Sequence, residues 1–276
     1  MRDVDTSPEP LKLYHWPAPN FGDQLSRDVV AWVSGRDVVT VRPRQAELVG
    51  IGSLMHVMAK FFTDPPRRAR KPILWGTGVL NPFFRRDFLA NLDIRIMRGP
   101  VGAAIARVPM SAFGDPGLFA PEAMAPAPPR QDRIVVIPHH SQMEGEAHAP
   151  FAALAARDPA LRVVDPRRSP AEVCAEIAAA AHVFSASLHG LVVADAYGVA
   201  NTWIDPGAQG RMKYHDYAAS VGRHMLAPMD IADVARSAAS AATGAFAYSD
   251  GIAQARASLL HHFPAHLRAD TATTVA

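Results

Sequence analysis

The sequence predicts an α/β protein made of two Rossmann-like domains facing a cleft. Three observations predict it. Short apolar runs alternate with segments of helical period along most of the 276 residues, the pattern of buried strands connected by covering helices. The alternation is interrupted once, at residues 121–130, where prolines and alanines break every period and read as an interdomain linker. It then resumes in the same form. Strands alternating with helices close into parallel sheets covered on both faces.

In chain order, the first half offers strands at Leu11 to His15, Val38 to Val41, Leu48 to Ile51, Ile73 to Trp75 and Ile94 to Met97. Helical periods cover 23–34, 53–62 and 100–107. The second half offers strands at Ile134 to Ile137, Leu161 to Val164, Val183 to Ser185 and Thr202 to Ile204, separated by helical stretches at 148–157, 170–181 and 188–197. An alanine-rich helical stretch spans about 230–267, and the tail from Ala269 reads as frayed. The expected domains are 11–120 and 132–268, the second carrying the terminal helix.

Composition narrows the class. Hydrophobic residues make up 49% and charged residues 20%, which suffices for a sizeable core and excludes a disordered chain. No apolar run approaches the roughly 18 residues of a membrane span. The start, Met1-Arg2-Asp3-Val4-Asp5, lacks the pattern of a signal peptide, so the expected location is the cytoplasm. The single cysteine, Cys174, excludes an intramolecular disulfide and a cysteine-based zinc cage and reads as a core thiol. A net charge of +2 is too mild for a nucleic-acid partner. The one basic run, Arg67-Arg68-Ala69-Arg70-Lys71, reads as a solvated loop able to rest on an anionic membrane surface.

Ligands of open parallel sheets sit beyond the carboxyl ends of the strands, so the strand-to-helix junctions are the candidate site. At Asn20-Phe21-Gly22-Asp23 the glycine admits close approach of a ligand and Asp23 can cap the next helix. Gly50-Ile51-Gly52-Ser53 and Trp75-Gly76-Thr77-Gly78 are tight turns, and neither completes a dinucleotide fingerprint. Arg98-Gly99-Pro100 sets an arginine at a helix start, a suitable anion clamp, and Gly114-Asp115-Pro116-Gly117 follows. Phe184-Ser185-Ala186-Ser187-Leu188-His189-Gly190 places hydroxyls, free amides and an imidazole at a helix start, suited to a phosphate or carboxylate plus a proton donor. Pro138-His139-His140 is the matching junction of the second half, so His139 and His189 can face one cleft. No third ligand stands at metal spacing, and no metal is expected.

Read together, these junctions resemble the polysaccharide pyruvyl transferase family, in particular the bacterial exopolysaccharide ketal-pyruvate transferases of the xanthan type. The resemblance adds Ala194-Asp195-Ala196-Tyr197-Gly198 and Arg211-Met212-Lys213-Tyr214-His215-Asp216-Tyr217, and it runs in order from about residue 13 to 217. Leu188 stands where many members carry arginine, as in the xanthan-type branch. The resemblance implies a GT-B-like fold with the acceptor on the N-terminal side and the donor on the C-terminal side. It implies transfer of pyruvate from phosphoenolpyruvate to a sugar of an exopolysaccharide or other surface-glycan precursor, with no cofactor beyond that donor. The acceptor would be lipid-linked, with peripheral contact at the inner membrane face.

On that reading His189 is the acid, and His139 or Asp23 accepts protons from the sugar. Arg98, Arg211 and Lys213 hold the donor, and Ser187, Gly190, Asn20 and Asp115 complete the substrate cradle. Two rivals use the same residues: a GT-B-type nucleotide-sugar glycosyltransferase, and a saccharide- or anion-binding module without catalysis.

Overall fold

The computed structural model describes residues 9–63, 70–83, 85–158, 160–238 and 246–269. The first half runs β1 (Leu11–Tyr14), α1 (Phe21–Ser34), β2 (Val38–Thr40), β3 (Leu48–Val49), α2 (Met55–Phe61), β4 (Ile73–Thr77), β5 (Asp93–Met97), α3 (Pro100–Ala106) and α4 (Ala120–Ala123). The second runs β6 (Ile134–Ile137), α5 (Ala149–Arg157), β7 (Leu161–Val163), α6 (Pro170–Ala179), β8 (His182–Ser185), α7 (Leu188–Ala196) and β9 (Ala200–Trp203). It ends with α8 (Met212–Ser220), α9 (Val234–Ala238) and α10 (Ser249–His262).

Two parallel sheets result, in the orders β2-β1-β3-β4-β5 and β7-β6-β8-β9. In each, the chain moves outward on one side of its first strand and then returns to the other. The switch points lie between β1 and β3 and between β6 and β8, and there the departing loops diverge and open a crevice.

Local sequence explains the elements. Along α1 the buried Phe21, Leu25, Val29 and Val33 recur every fourth residue, and Gly35, at φ 66°, closes the helix by donating to the Ala31 carbonyl. Ser169 and Glu172 form a capping box at the start of α6, with Pro170 in its first turn. One apolar cluster runs through both halves: Leu11, Leu13 and Trp75 of the first sheet meet Val135, Ile137 and Val183 of the second through α1 and α6. Cys174 lies in that cluster, where burial pushes its thiol up to about 12 and makes it inert.

Four features differ from the sequence expectation. The segment 121–130 is not irregular throughout, because α4 occupies Ala120–Ala123 and packs on α1 and α7. The stretch 230–267 is not one helix: a 3-10 turn at Ile231–Asp233 leads into α9, and α10 is separate, with 239–245 outside the described residues. The terminal helix, expected with the second half, packs there through Ile252 and Ala255 but also reaches the first sheet. There the Trp75 indole donates to the Leu259 carbonyl at 2.9 Å and Phe263 meets the Trp75 ring edge-on at 5.1 Å. Finally, α8 is a helix where the sequence offered only a motif. Residues 67–69 of the basic run and 270–276 of the tail lie outside the described residues, while Arg70 and Lys71 are exposed. Among the described residues no helix is long and apolar enough to cross a membrane.

Candidate active site

The carboxyl ends of both sheets border one open cavity of about 150 Å³. Trp16, Asn20 and Asp23 follow β1, Gly52, Ser53, Leu54 and His56 follow β3, Leu80 follows β4, and Arg98 follows β5. From the second sheet, His139 and His140 follow β6, Ser187, Leu188 and His189 follow β8, and Gln209 and Lys213 follow β9. Both switch points therefore open onto the same space. Residues of the first turn or N-cap of α1, α7 and α8 line it, so the positive ends of three helix dipoles point there.

His189 sits in the first turn of α7, 6% exposed. Burial, with the positive charges of Arg98 and Lys213, pushes its imidazole down to about 3, so the ring is neutral at pH 7. It nestles over α1: a Cβ added at Gly22 would lie 2.0 Å from its Nδ1. Gly22 therefore makes room for the imidazole rather than for a ligand. On the other edge, the buried Nε2 has no hydrogen-bond partner and stands 3.8 Å from Asp115 Oδ2, which also has none. Asp115 is wholly buried, its other oxygen accepts the Gly117 N–H at 2.9 Å, and burial raises its carboxyl to about 6. Two orphaned buried atoms face to face form a pair that a small closure converts into a hydrogen bond. Asp115 thus lies behind His189, off the cavity wall.

The fit over Gly22 yields a prediction. Gly22→Ala should displace the imidazole by an ångström or more, lowering turnover about a hundredfold and stability by about 1–3 kcal/mol through overpacking. Initial rates and urea midpoints check both.

Asp23, expected to cap α1, does not cap it. Its Oδ2 instead accepts from the Asn20 side chain at 2.7 Å, while Oδ1 lies 2.8 Å from where a Cβ at Gly52 would stand. Gly52 has φ +116°, so both backbone and space demand glycine there. Burial raises the Asp23 carboxyl to about 6, against the opposing pull of Asn20 and Lys213. A cavity carboxylate titrating there is well matched to accepting a proton near neutral pH.

Lys213 projects into the cavity because α8 is pinned around it. Lys213, Tyr214, Asp216 and Tyr217 share the buried face of the helix. The Tyr214 hydroxyl donates to the Ala186 carbonyl at 2.5 Å, and the Tyr217 hydroxyl donates to Asp195 at 2.7 Å. Burial and Arg98 lower the ammonium to about 8, so it remains mostly charged at pH 7. Its Nζ lies 3.1 Å from His139 Nε2. An ammonium can only donate, so His139 Nε2 accepts and Nδ1 carries the ring proton toward Ser141 Oγ at 2.8 Å. Burial and Lys213 push His139 down to about 2. In the ligand-free site it is a weak base whose Nε2 already accepts from Lys213.

Arg98 is completely buried, and its guanidinium is fully engaged. It pairs with Asp216 at 3.1 Å, donates to Ser53 Oγ at 2.9 Å and reaches the Val79 carbonyl at 3.4 Å. Asp216 also accepts the Gly102 N–H at 2.8 Å, tying α8 to α3. The arginine braces the cavity floor and lends it positive potential. Removing its partner by Asp216→Ala should cost about 3–5 kcal/mol by stranding a buried charge, measurable by urea denaturation.

Of the residues named from sequence, His189, His139, Asp23, Arg98, Ser187, Lys213 and Asn20 line the cavity. Three do not. Arg211 is the N-cap of α8, its side chain half exposed and 3.5 Å from Asp205. Gly190 packs α7 on β8, where a Cβ would meet Ser185 Oγ at 2.2 Å. Asp115 acts from behind, as described above. Asp195 is a structural hub, holding Tyr217, Tyr248, Asn201 and Arg223 away from the cavity. Sequence reasoning did not single out Trp16, His56 or Gln209. Trp16 lay within reach, because it follows the first strand directly, whereas His56 and Gln209 carry no local signal.

Two parallel sheets of an α/β protein thus share one polar cavity lined by Asp23, His139, His189 and a buried lysine. The family model described as polysaccharide pyruvyl transferase matches residues 59–207, more than half of the chain, and the chain belongs to that family of transferases. The matched stretch includes Arg98, Asp115, His139, Ser187 and His189, while Asn20, Asp23 and Lys213 lie outside it. No curated protein matches the sequence. A solved structure of an uncharacterized protein from Klebsiella pneumoniae subsp. pneumoniae is similar at a TM-score of 0.45 and 11% identity, over 76% of this chain and 87% of that one.

Proposed function

We propose that the enzyme transfers the pyruvyl group of phosphoenolpyruvate to two hydroxyls of one sugar in an exopolysaccharide or other surface-glycan precursor, forming a ketal and releasing phosphate. The observation that carries this reading is the meeting of three helix N-termini, the Lys213 ammonium and the His189 imidazole at one cavity. Helix N-termini and a buried ammonium favour a small, highly charged anion.

In the proposed reaction, Lys213, Ser187 and the first-turn amides of α7 hold the donor's phosphate and carboxylate. The donor's negative charge offsets the repulsion that Arg98 and Lys213 exert on His189, so the imidazole can hold a proton in the complex. His189 delivers that proton to the methylene carbon, making C2 electrophilic. The first sugar hydroxyl adds to C2 and its proton passes to Asp23. The C2–O bond to phosphate then breaks, and the second hydroxyl adds to C2 and closes the ring. Two hydroxyl protons are released overall. One balances the proton placed on the methyl carbon and the other leaves with phosphate. The sequence is redox-neutral, so its demands are proton transfer and charge stabilisation, and the donor is the one small-molecule partner besides the acceptor.

The two halves then act as facing domains of a GT-B-like enzyme, residues 11–120 on the acceptor side and 132–268 on the donor side, with α10 bridging back. The acceptor would be lipid-linked and approached from the cytoplasm, the basic run resting on the membrane surface. Thermal unfolding tests the donor. Phosphoenolpyruvate should raise Tm, consistent with about 2.7 kcal/mol at a hundredfold excess over Kd, and Lys213→Met should remove the shift. Protection by a uridine diphosphate sugar and none by phosphoenolpyruvate would instead support a glycosyltransferase.

A further inference from the structure

Trp16 lies between β1 and α1, is 40% exposed and borders the cavity. Among the described residues the exposed large apolar side chains are Trp16, Trp32, Val39, Leu226 and Leu260, and of these only Trp16 is at the cavity. Of the other apolar lining residues, Leu54 and Leu188 are buried and Leu80 is half-buried. An indole left open to water beside a polar cavity is a surface held ready for an apolar face.

Its backbone is fixed while its ring is free. The Trp16 carbonyl accepts from His15 Nδ1 at 3.0 Å, and His15 Nε2 accepts in turn from Thr40 Oγ1 at 3.1 Å. Burial keeps His15 neutral, which that pair of bonds requires. The exposed His56 ring stands 6.2 Å from the indole, inclined by 50°, and is anchored by Nδ1 to the Ser53 carbonyl at 2.8 Å. Because Nδ1 donates to that carbonyl, Nε2 is the nitrogen left to hydrogen-bond a hydroxyl. The two rings thus offer an aromatic face and a hydrogen-bonding nitrogen at an angle. A pyranose matches this pattern, with slightly positive C–H groups on one face and hydroxyls around the edge.

We propose that Trp16 is the platform for the acceptor sugar, with His56 Nε2 hydrogen-bonding one of its hydroxyls. The inference rests on the pyruvyl-transfer reading, and it assigns the acceptor to the β1 and β3 loops and the donor to the α7 and α8 side. In steady-state assays with phosphoenolpyruvate and the methyl glycosides of glucose, mannose and galactose, Trp16→Ala should raise the acceptor KM about tenfold or more. The phosphoenolpyruvate KM should stay within about twofold, and Trp16→Phe should recover most of the loss. A second readout needs no turnover. In a Trp32→Phe background, where Trp75 and Trp203 are buried, the glycosides should perturb the emission of Trp16, and adding Trp16→Phe should abolish the response. Unchanged acceptor KM in Trp16→Ala, an equal rise in both KM values, or no emission change with any glycoside would overturn the proposal. Glycoside-dependent emission without phosphate release would uphold the platform while rejecting pyruvyl transfer. Normal turnover insensitive to Trp16→Ala would do the reverse.

Discussion

Replacing His189 by alanine is expected to lower kcat by about 10²–10⁴-fold with little change in the urea midpoint. In the proposed reaction the rate loss follows because His189 borders the cavity and has an acid, Asp115, behind its Nε2. Stability is spared because the Nε2 atom makes no hydrogen bond that the substitution would break. Asp115→Asn should lower kcat by about ten- to a hundredfold, the worth of one hydrogen bond to a charged group. It should also lower the pH at which the enzyme–substrate complex loses its proton. A His189→Ala enzyme with near-normal kcat would place the proton donor elsewhere.

The second large effect belongs to Lys213. Lys213→Met should raise the phosphoenolpyruvate KM by about ten- to a hundredfold, since a charge-assisted contact to a buried anion contributes about 1.5–3 kcal/mol. It should also erase the alkaline limb of kcat/KM. In the proposed reaction Asp23 acts ionised and Lys213 charged, so the profile of the free enzyme is expected to rise through about 6 and fall through about 8. In Asp23→Asn the residual activity should lose the acid limb, and in Lys213→Arg the alkaline limb should move beyond the measurable range.

The same shifts set a stability cost with a definite sign. Asp23 and Asp115 have raised values, so the stability they contribute is present below their ordinary 3.8 and lost as pH rises through about 6. Lys213 is lowered, so its contribution is present above its ordinary 10.5 and lost as pH falls through about 8. Both losses coincide near neutrality. The ligand-free site is thus least comfortable at the pH where it would work, and an anion against Lys213 relieves part of that strain.

Much of this arrangement was legible in the sequence because strand-to-helix junctions of parallel sheets announce themselves locally. Val38, Leu48, Ile73 and Ile134 stand at starts of strands named from their apolar runs, and the junction residues Asn20, Asp23, His139, Ser187 and His189 do share one cavity. What a local reading lacks is the partner of each side chain. Arg98 looked like a free clamp because Asp216, which occupies it, lies 118 positions away. His139 looked like an unengaged base because the ammonium against its Nε2 comes from α8, which carries too many polar residues to show a helical stripe. Gly22 looked like a ligand-approach glycine, and only the fold shows that the approaching group is His189. The terminal helix packs on both halves, which nothing in an alanine-rich segment announces: Ile252 and Ala255 meet α7 and α8, and Leu259 accepts from the Trp75 indole.

The central claim is that this cavity converts phosphoenolpyruvate and a sugar into a pyruvate ketal. Its most direct test is to incubate the purified enzyme with phosphoenolpyruvate and glucosyl, mannosyl and galactosyl acceptors, following phosphate release and analysing the saccharides by mass spectrometry. The account predicts phosphate release that depends on one acceptor and the matching mass gain of a pyruvate ketal on it, both abolished in His189→Ala. Phosphate release without saccharide modification, or none with any acceptor while a nucleotide sugar is consumed, would contradict it.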